Sequence, residues 1–237
     1  MSRSPRSRLL PWILAATPLL PAIWQPRALA QSSPYPVMAP IARYLMPADA
    51  EIALARSAAP PAISGAAEVM VLGRTGYTAV VRGGNGFVCL VERGWGASTD
   101  DPVFWNFKVR GPICFNPPAV RTVLPVYLMK TRLLLAGKSK QEMARALTAA
   151  FDSKELPPLA PGAMSYMMAK RQYLGDQPKH WHPHLMLFLP PDAARSWGAD
   201  LPGSPVMEAK DPEERMTIVF VLVGNWSDGS AAPRPMH

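Results

Sequence analysis

EVMVLGRTGYTAVVRGGNGFVCLVER, residues 68–93, is the stretch that decides the fold. It holds three β-prone runs, Glu68–Gly73, Tyr77–Arg82 and Phe87–Arg93. Arg74-Thr75-Gly76 separates the first two and Gly83-Gly84-Asn85-Gly86 the last two. Asn85-Gly86 takes positive φ at little cost, which a tight hairpin needs. The stretch therefore predicts a three-stranded antiparallel meander that serves as scaffold.

Upstream, Pro47 to Arg56 reads as a short helix, with Asp49 and Glu51 in its first turn and Arg56 near its end. Both placements favour the helix dipole, and Pro60-Pro61 stops the helix. Downstream, residues 94–118 are irregular and carry Trp95, Phe104, Trp105, Phe107 and Phe115, expected to cover a core. Pro118 to Ala136 places Val120, Val123, Leu124, Tyr127, Leu128, Leu134 and Leu135 on a helical face, with Pro125 starting or kinking it. After Gly137, Ser139 and Glu142 form a capping box ahead of the stripe Met143, Leu147, Ala150, Phe151. Ala163–Ala169, Leu185–Leu189 and Met216–Val223 have strand length. The last is apolar on both faces and is expected to be central and covered. Asp192–Trp197 adds a short turn stopped by Gly198. The fold class is α+β: an antiparallel sheet with an αα-hairpin packed on it, loop- and proline-rich. Residues 41–227 are expected to be one domain, 31–40 an extended leader and 228–237 a loose tail.

The 237 residues are 49% hydrophobic and 18% charged, too apolar for a disordered chain. Arg3, Arg6 and Arg8, the apolar run Leu9–Trp24 and the small-residue site Ala28-Leu29-Ala30 have the order of a secretory signal over residues 1–30. Prolines 11, 18 and 21 and the short run argue against a spanning helix. Export to a periplasm or beyond is expected. Of the 25 basic residues, Arg3, Arg6, Arg8 and Arg27 lie in the signal, leaving 21 against 17 acidic ones. The remaining cations are scattered pairs, such as Lys130 with Arg132, and read as solvated surface; no nucleic-acid partner and no integral membrane segment is expected. The two cysteines, Cys89 and Cys114, lie in apolar runs, and in an oxidising compartment they are expected to pair.

One cluster carries chemistry. His180, His182 and His184 alternate, so in an extended segment they share a face, and imidazole suits zinc, copper or iron. On a straight strand the outer two stand about 13 Å apart, too far for one ion unless Pro183 bends the chain. Asp176, Glu92 and Asp101 are candidate carboxylate partners. Met164, Met167, Met168 and Met186 nearby would suit copper, although methionine at strand spacing more often fills a core. GxSxG, HExxH, P-loop and GxGxxG motifs are absent, and a Ser165–His182 pairing has no supporting spacing. Asn225-Trp226-Ser227 fits a glycosylation sequon.

The segments NGFVCLVER (85–93), PGAMSYMM (161–168) and HWHPHLM (180–186) resemble parts of an uncharacterised group of exported bacterial proteins. The resemblance implies bacterial export and a single domain and brings no activity with it. Three functions stay open: a non-catalytic binding or structural protein of the envelope, a hydrolase-like metal enzyme using His180, His182 and His184, and a periplasmic copper-binding protein.

Overall fold

A computed structural model of the chain describes residues 34–176 and 181–233; the expected signal over residues 1–30, His180 and the end of the tail lie outside them. Among the described residues eight strands form one sheet: β1 (Glu68–Gly73), β2 (Gly76–Val81), β3 (Val88–Glu92), β4 (Gly111–Phe115), β5 (Met164–Met167), β6 (His184–Leu189), β7 (Val206–Asp211) and β8 (Met216–Leu222). Their order is β2-β1-β3-β4-β5-β6-β8-β7. The helices are α1 (Ala48–Arg56), α2 (Pro61–Ser64), α3 (Pro117–Thr122), α4 (Leu124–Leu135) and α5 (Lys140–Asp152). The fold is α+β with a mostly antiparallel sheet.

The expected meander is corrected at its third strand. β1 and β2 form the antiparallel hairpin, but β3 lies on the far side of β1 and runs parallel to it. The chain makes this exchange by passing across the start of β1. Gly84 N–H bonds the Ala66 carbonyl at 2.8 Å, and Glu68 N–H bonds the Phe87 carbonyl at 2.9 Å. A Cβ on Gly83 would stand 2.2 Å from Glu68 N, so only glycine lets the backbones cross so closely. The Gly-Gly pair thus marks a crossing.

Two strands escaped the sequence reading. β4 lies within the segment read as irregular, hidden by Pro112. That proline is tolerated because β4 pairs with β5 only at Cys114 and Phe115, so no partner asks for its missing N–H. β7 escaped because Glu208 and Lys210 interrupt its apolar residues. β8 is interior but not fully covered: only β7 lies beyond it, and Ile218, Phe220, Val221 and Leu222 keep partial exposure.

Each face of the sheet has its own cover. The helical hairpin α4–α5 lies on the face carrying Leu90, Ile113 and Phe115, and the expected aromatic cover is there: Trp95, Phe104 and Trp105 are buried in the same core. Pro125 stands in the first turn of α4, after α3 has ended at Thr122, so it starts a helix. The Ser139–Glu142 capping box is formed, and its bonds to Ser139 hold the Glu142 carboxyl at about 2. α1 covers the opposite face, where Ala55, Ala58, Ala59 and Ala67 allow close approach to Val69, Cys89, Val91 and Cys114. Cys89 and Cys114 stand opposite each other in the β3–β4 ladder and form a disulfide. The segment read as a leader does not stand clear of the core: Tyr35, Met38 and Ala39 pack on it.

Where β3 ends, Arg93 is buried with Glu51 of α1, at 2.9 Å and with neither side chain exposed. Arg93 also donates to the carbonyls of Tyr44 (2.8 Å) and Val91. Its backbone N–H bonds the Tyr127 hydroxyl of α4 at 2.8 Å, and Tyr127 meets Tyr77 of β2 at 3.1 Å. The Glu51 carboxylate accepts Leu72 N–H of β1 at 3.2 Å. Burial pushes the Tyr77 hydroxyl up to about 12, so it remains a donor to the Val91 carbonyl.

Two predictions follow from this architecture. Gly83→Ala is expected to cost about 1–3 kcal/mol by forcing backbone apart, whereas Gly84→Ala, with open space around it, is expected to stay within about 0.5 kcal/mol. Denaturant unfolding of the two variants checks the crossing; equal costs would refute it. Replacing both cysteines by alanine is expected to lower stability by about 3–4 kcal/mol, read in the same way.

Candidate functional site

His184 opens β6 and lies opposite Met167. It is 3% exposed, between the rings of Trp181 and Phe220. Its Nδ1 is 2.8 Å from the His182 carbonyl, which only accepts, so Nδ1 carries the proton and Nε2 is the one ring nitrogen left for a ligand. Burial holds its pKa below the usual histidine value. His182 is partly exposed, and His180 lies outside the described residues.

Among the described residues no group of three His, Cys, Asp or Glu side chains is placed to hold a metal. Asp176 is engaged by the Tyr35 and Tyr173 hydroxyls and by Lys108 at 3.2 Å. Asp101 accepts Val103 N–H at 2.8 Å in a local turn. Met167, Met168 and Met186 are buried, Met167 and Met186 in the main apolar core. Ser165 is buried, and its Oγ has no hydrogen-bond partner among the described residues.

Glu92 belongs to a different assembly, one the sequence reading missed. Lys130, read as a surface cation, is fully buried on α4, donating to Glu214 at 2.6 Å and to the Ala97 carbonyl at 2.7 Å. Its position between Tyr127 and Leu134 on the apolar stripe is the signal that it faces inward. The acids come from the β7–β8 turn, Asp211-Pro212-Glu213-Glu214. Glu213 accepts from the Thr99 hydroxyl and backbone N–H, and Asp211 caps Glu214 N–H at 2.9 Å. Glu92, at the end of β3, packs against Gly96, where a Cβ would stand 3.2 Å from its carboxyl carbon. Desolvation, with the charge of Glu214 adding to it and that of Lys130 opposing it, pushes Glu92 up to about 8. Burial also raises Glu214 and Asp211. The charge of Lys130 thus opposes the upward shifts of Glu92, Asp211 and Glu214, and burial favours the protonated form of Glu92.

The same turn forms one wall of a groove of about 550 Å³. Val123 and Val126 of the helical hairpin, Leu156, Leu159 and Met216 make it apolar. Pro157, Pro158, Pro190 and Pro191 supply two rigid walls without N–H donors. Lys154 and Arg215 belong to its lining and are exposed to solvent. Arg215 meets Asp152 at 2.6 Å and stacks over Phe151. Among the described residues Lys154 has no ion pair. The volume is that of a site for a small organic ligand.

Two titrations check these assignments. The folded chain keeps a proton on Glu92 that the unfolded chain releases above about pH 4.5, so this contribution to stability is complete below that pH and is lost as pH rises through about 8. Glu92→Gln is expected to flatten that fall by up to about 1.4 kcal/mol per pH unit; equal slopes in parent and variant would contradict it. His184 has the opposite sign. The unfolded chain takes up a proton near pH 6.5 that the folded chain refuses, so stability is lost on acidification. His184→Leu is expected to lose less stability than the parent between about pH 7.5 and 5.5, followed by thermal melts.

No family model, no curated protein and no solved structure matches this chain.

Proposed function

We propose that this chain is an exported envelope protein that binds, without chemical turnover, a ligand with an apolar chain and an anionic head. The observation that carries this reading is the groove. Its walls are mostly apolar side chains and prolines, with Thr122, Phe151 and Glu214 among them, and its solvent-exposed lining has Lys154 and Arg215, the second paired with Asp152. An apolar body excludes water from such walls while a carboxylate or sulfonate meets the cations. The disulfide supports an oxidising compartment, and among the described residues no helix is long and apolar enough to cross a membrane. The metal-enzyme and copper readings gain no comparable support, because among the described residues no three His, Cys, Asp or Glu side chains are placed to hold an ion and Met167 and Met186 pack in the core.

The test is a fluorescence titration with 11-(dansylamino)undecanoic acid. Saturable binding at one site per chain is expected. Lys154→Glu is expected to weaken it about tenfold, as does narrowing the groove with Leu159→Trp, both with the parent's unfolding midpoint. Absence of saturable binding to the parent would overturn the proposal, and binding indifferent to both substitutions would move the site elsewhere.

A further inference from the structure

β7 is the last strand of the sheet, and among the described residues no strand pairs with its outer side. Its hydrogen-bonding phase is fixed at one end. The Val206 carbonyl accepts Asp200 N–H at 2.9 Å and Val206 N–H bonds Ser204 Oγ at 3.1 Å, so Val206 turns its backbone groups away from β8. Successive residues of a strand alternate in this respect, so Glu208 and Lys210 also turn their N–H and C=O outward. Val206 is satisfied within its own chain, and Pro212 has no N–H to offer. The open part of the edge is therefore Glu208–Lys210.

We infer that this edge pairs with itself: two copies of the chain join antiparallel about a twofold axis at Ala209, setting Glu208 opposite the partner's Lys210. In this register both residues at each position have outward backbone groups, which gives four N–H···O=C bonds across the axis. The two side-chain pairs have opposite charge, and the small Ala209 sits at the axis. Glu208 and Lys210 are two apart and share a face, so each meets its counterpart directly. The neighbouring registers fail. An axis at Glu208 opposes two carboxylates and brings Lys210 against a Val206 carbonyl that Asp200 already occupies. An axis at Lys210 opposes two ammonium groups. Exposed apolar side chains on and beside the strand, Met207 at 41% and Leu201 at 62%, give the pairing surface to bury. Lys210 meets Asp192 at 3.1 Å, but both are more than half exposed, so exchanging that partner costs little.

Sedimentation velocity on the purified full chain, disulfide intact, tests the inference. A concentration-dependent dimer is expected. Glu208→Lys and Lys210→Glu should each raise its dissociation constant about tenfold, and the double exchange should restore it. An equimolar mixture of the two single variants should dimerise like the parent, because lysines then face glutamates across the axis. All variants should keep the parent's unfolding midpoint. A monomer at every concentration overturns the inference and means that the two charges only blunt the edge. A dimer indifferent to the single exchanges also overturns it.

Discussion

Arg93 is a full positive charge with no access to water, and the centre of the molecule is arranged around neutralising it. Removing one partner from a buried ion pair leaves the other uncompensated, at a cost of about 3–5 kcal/mol. Here the partners come from separate parts of the chain. The segment before α1 gives the Tyr44 carbonyl, α1 gives Glu51 and β3 gives the Val91 carbonyl, while Tyr127 of α4 accepts the Arg93 backbone N–H. Glu51 then reaches β1 through Leu72. A hydrophobic core tolerates sliding, whereas a guanidinium in its middle does not, so this network fixes how α1 and α4 sit on the two faces of the sheet.

The sequence disclosed the elements better than their neighbours. Helix caps and stops are local chemistry: Ser139 with Glu142, Gly137 and Pro125 are legible because their partners lie within a turn. The disulfide was legible because only two cysteines exist. The crossing at Gly83 was not, since a Gly-Gly-Asn-Gly run serves a turn and a close backbone passage equally well, and the obstacle, Glu68, is fifteen residues upstream. Glu51 was read through its place in the helix dipole, yet its larger role is set by Arg93, whose approach no spacing announces. Lys130 reads as one of a pair of surface cations because its acidic partner follows 84 residues later.

The surplus of proline also acquires a place. Pro157, Pro158, Pro190 and Pro191 come from two distant loops and line the same groove. Their rings fix φ and remove donors, so the walls keep their shape and offer no competing hydrogen bonds. Loop composition and the groove's character are one property seen from two sides. The histidine segment, the buried lysine and the groove remain three separate assemblies, of which the last two share the β7–β8 turn.

That shared turn has a consequence for how the molecule reaches completion. Lys130 and its counter-charge Glu214 lie 84 residues apart in the chain, and chains of this size pass through partly built states. Until the last hairpin arrives, Lys130 has the Ala97 carbonyl but no counter-charge, and the interior around it must stay hydrated. The β7–β8 hairpin therefore acts as a lock, closing the interior around Lys130 only when it docks.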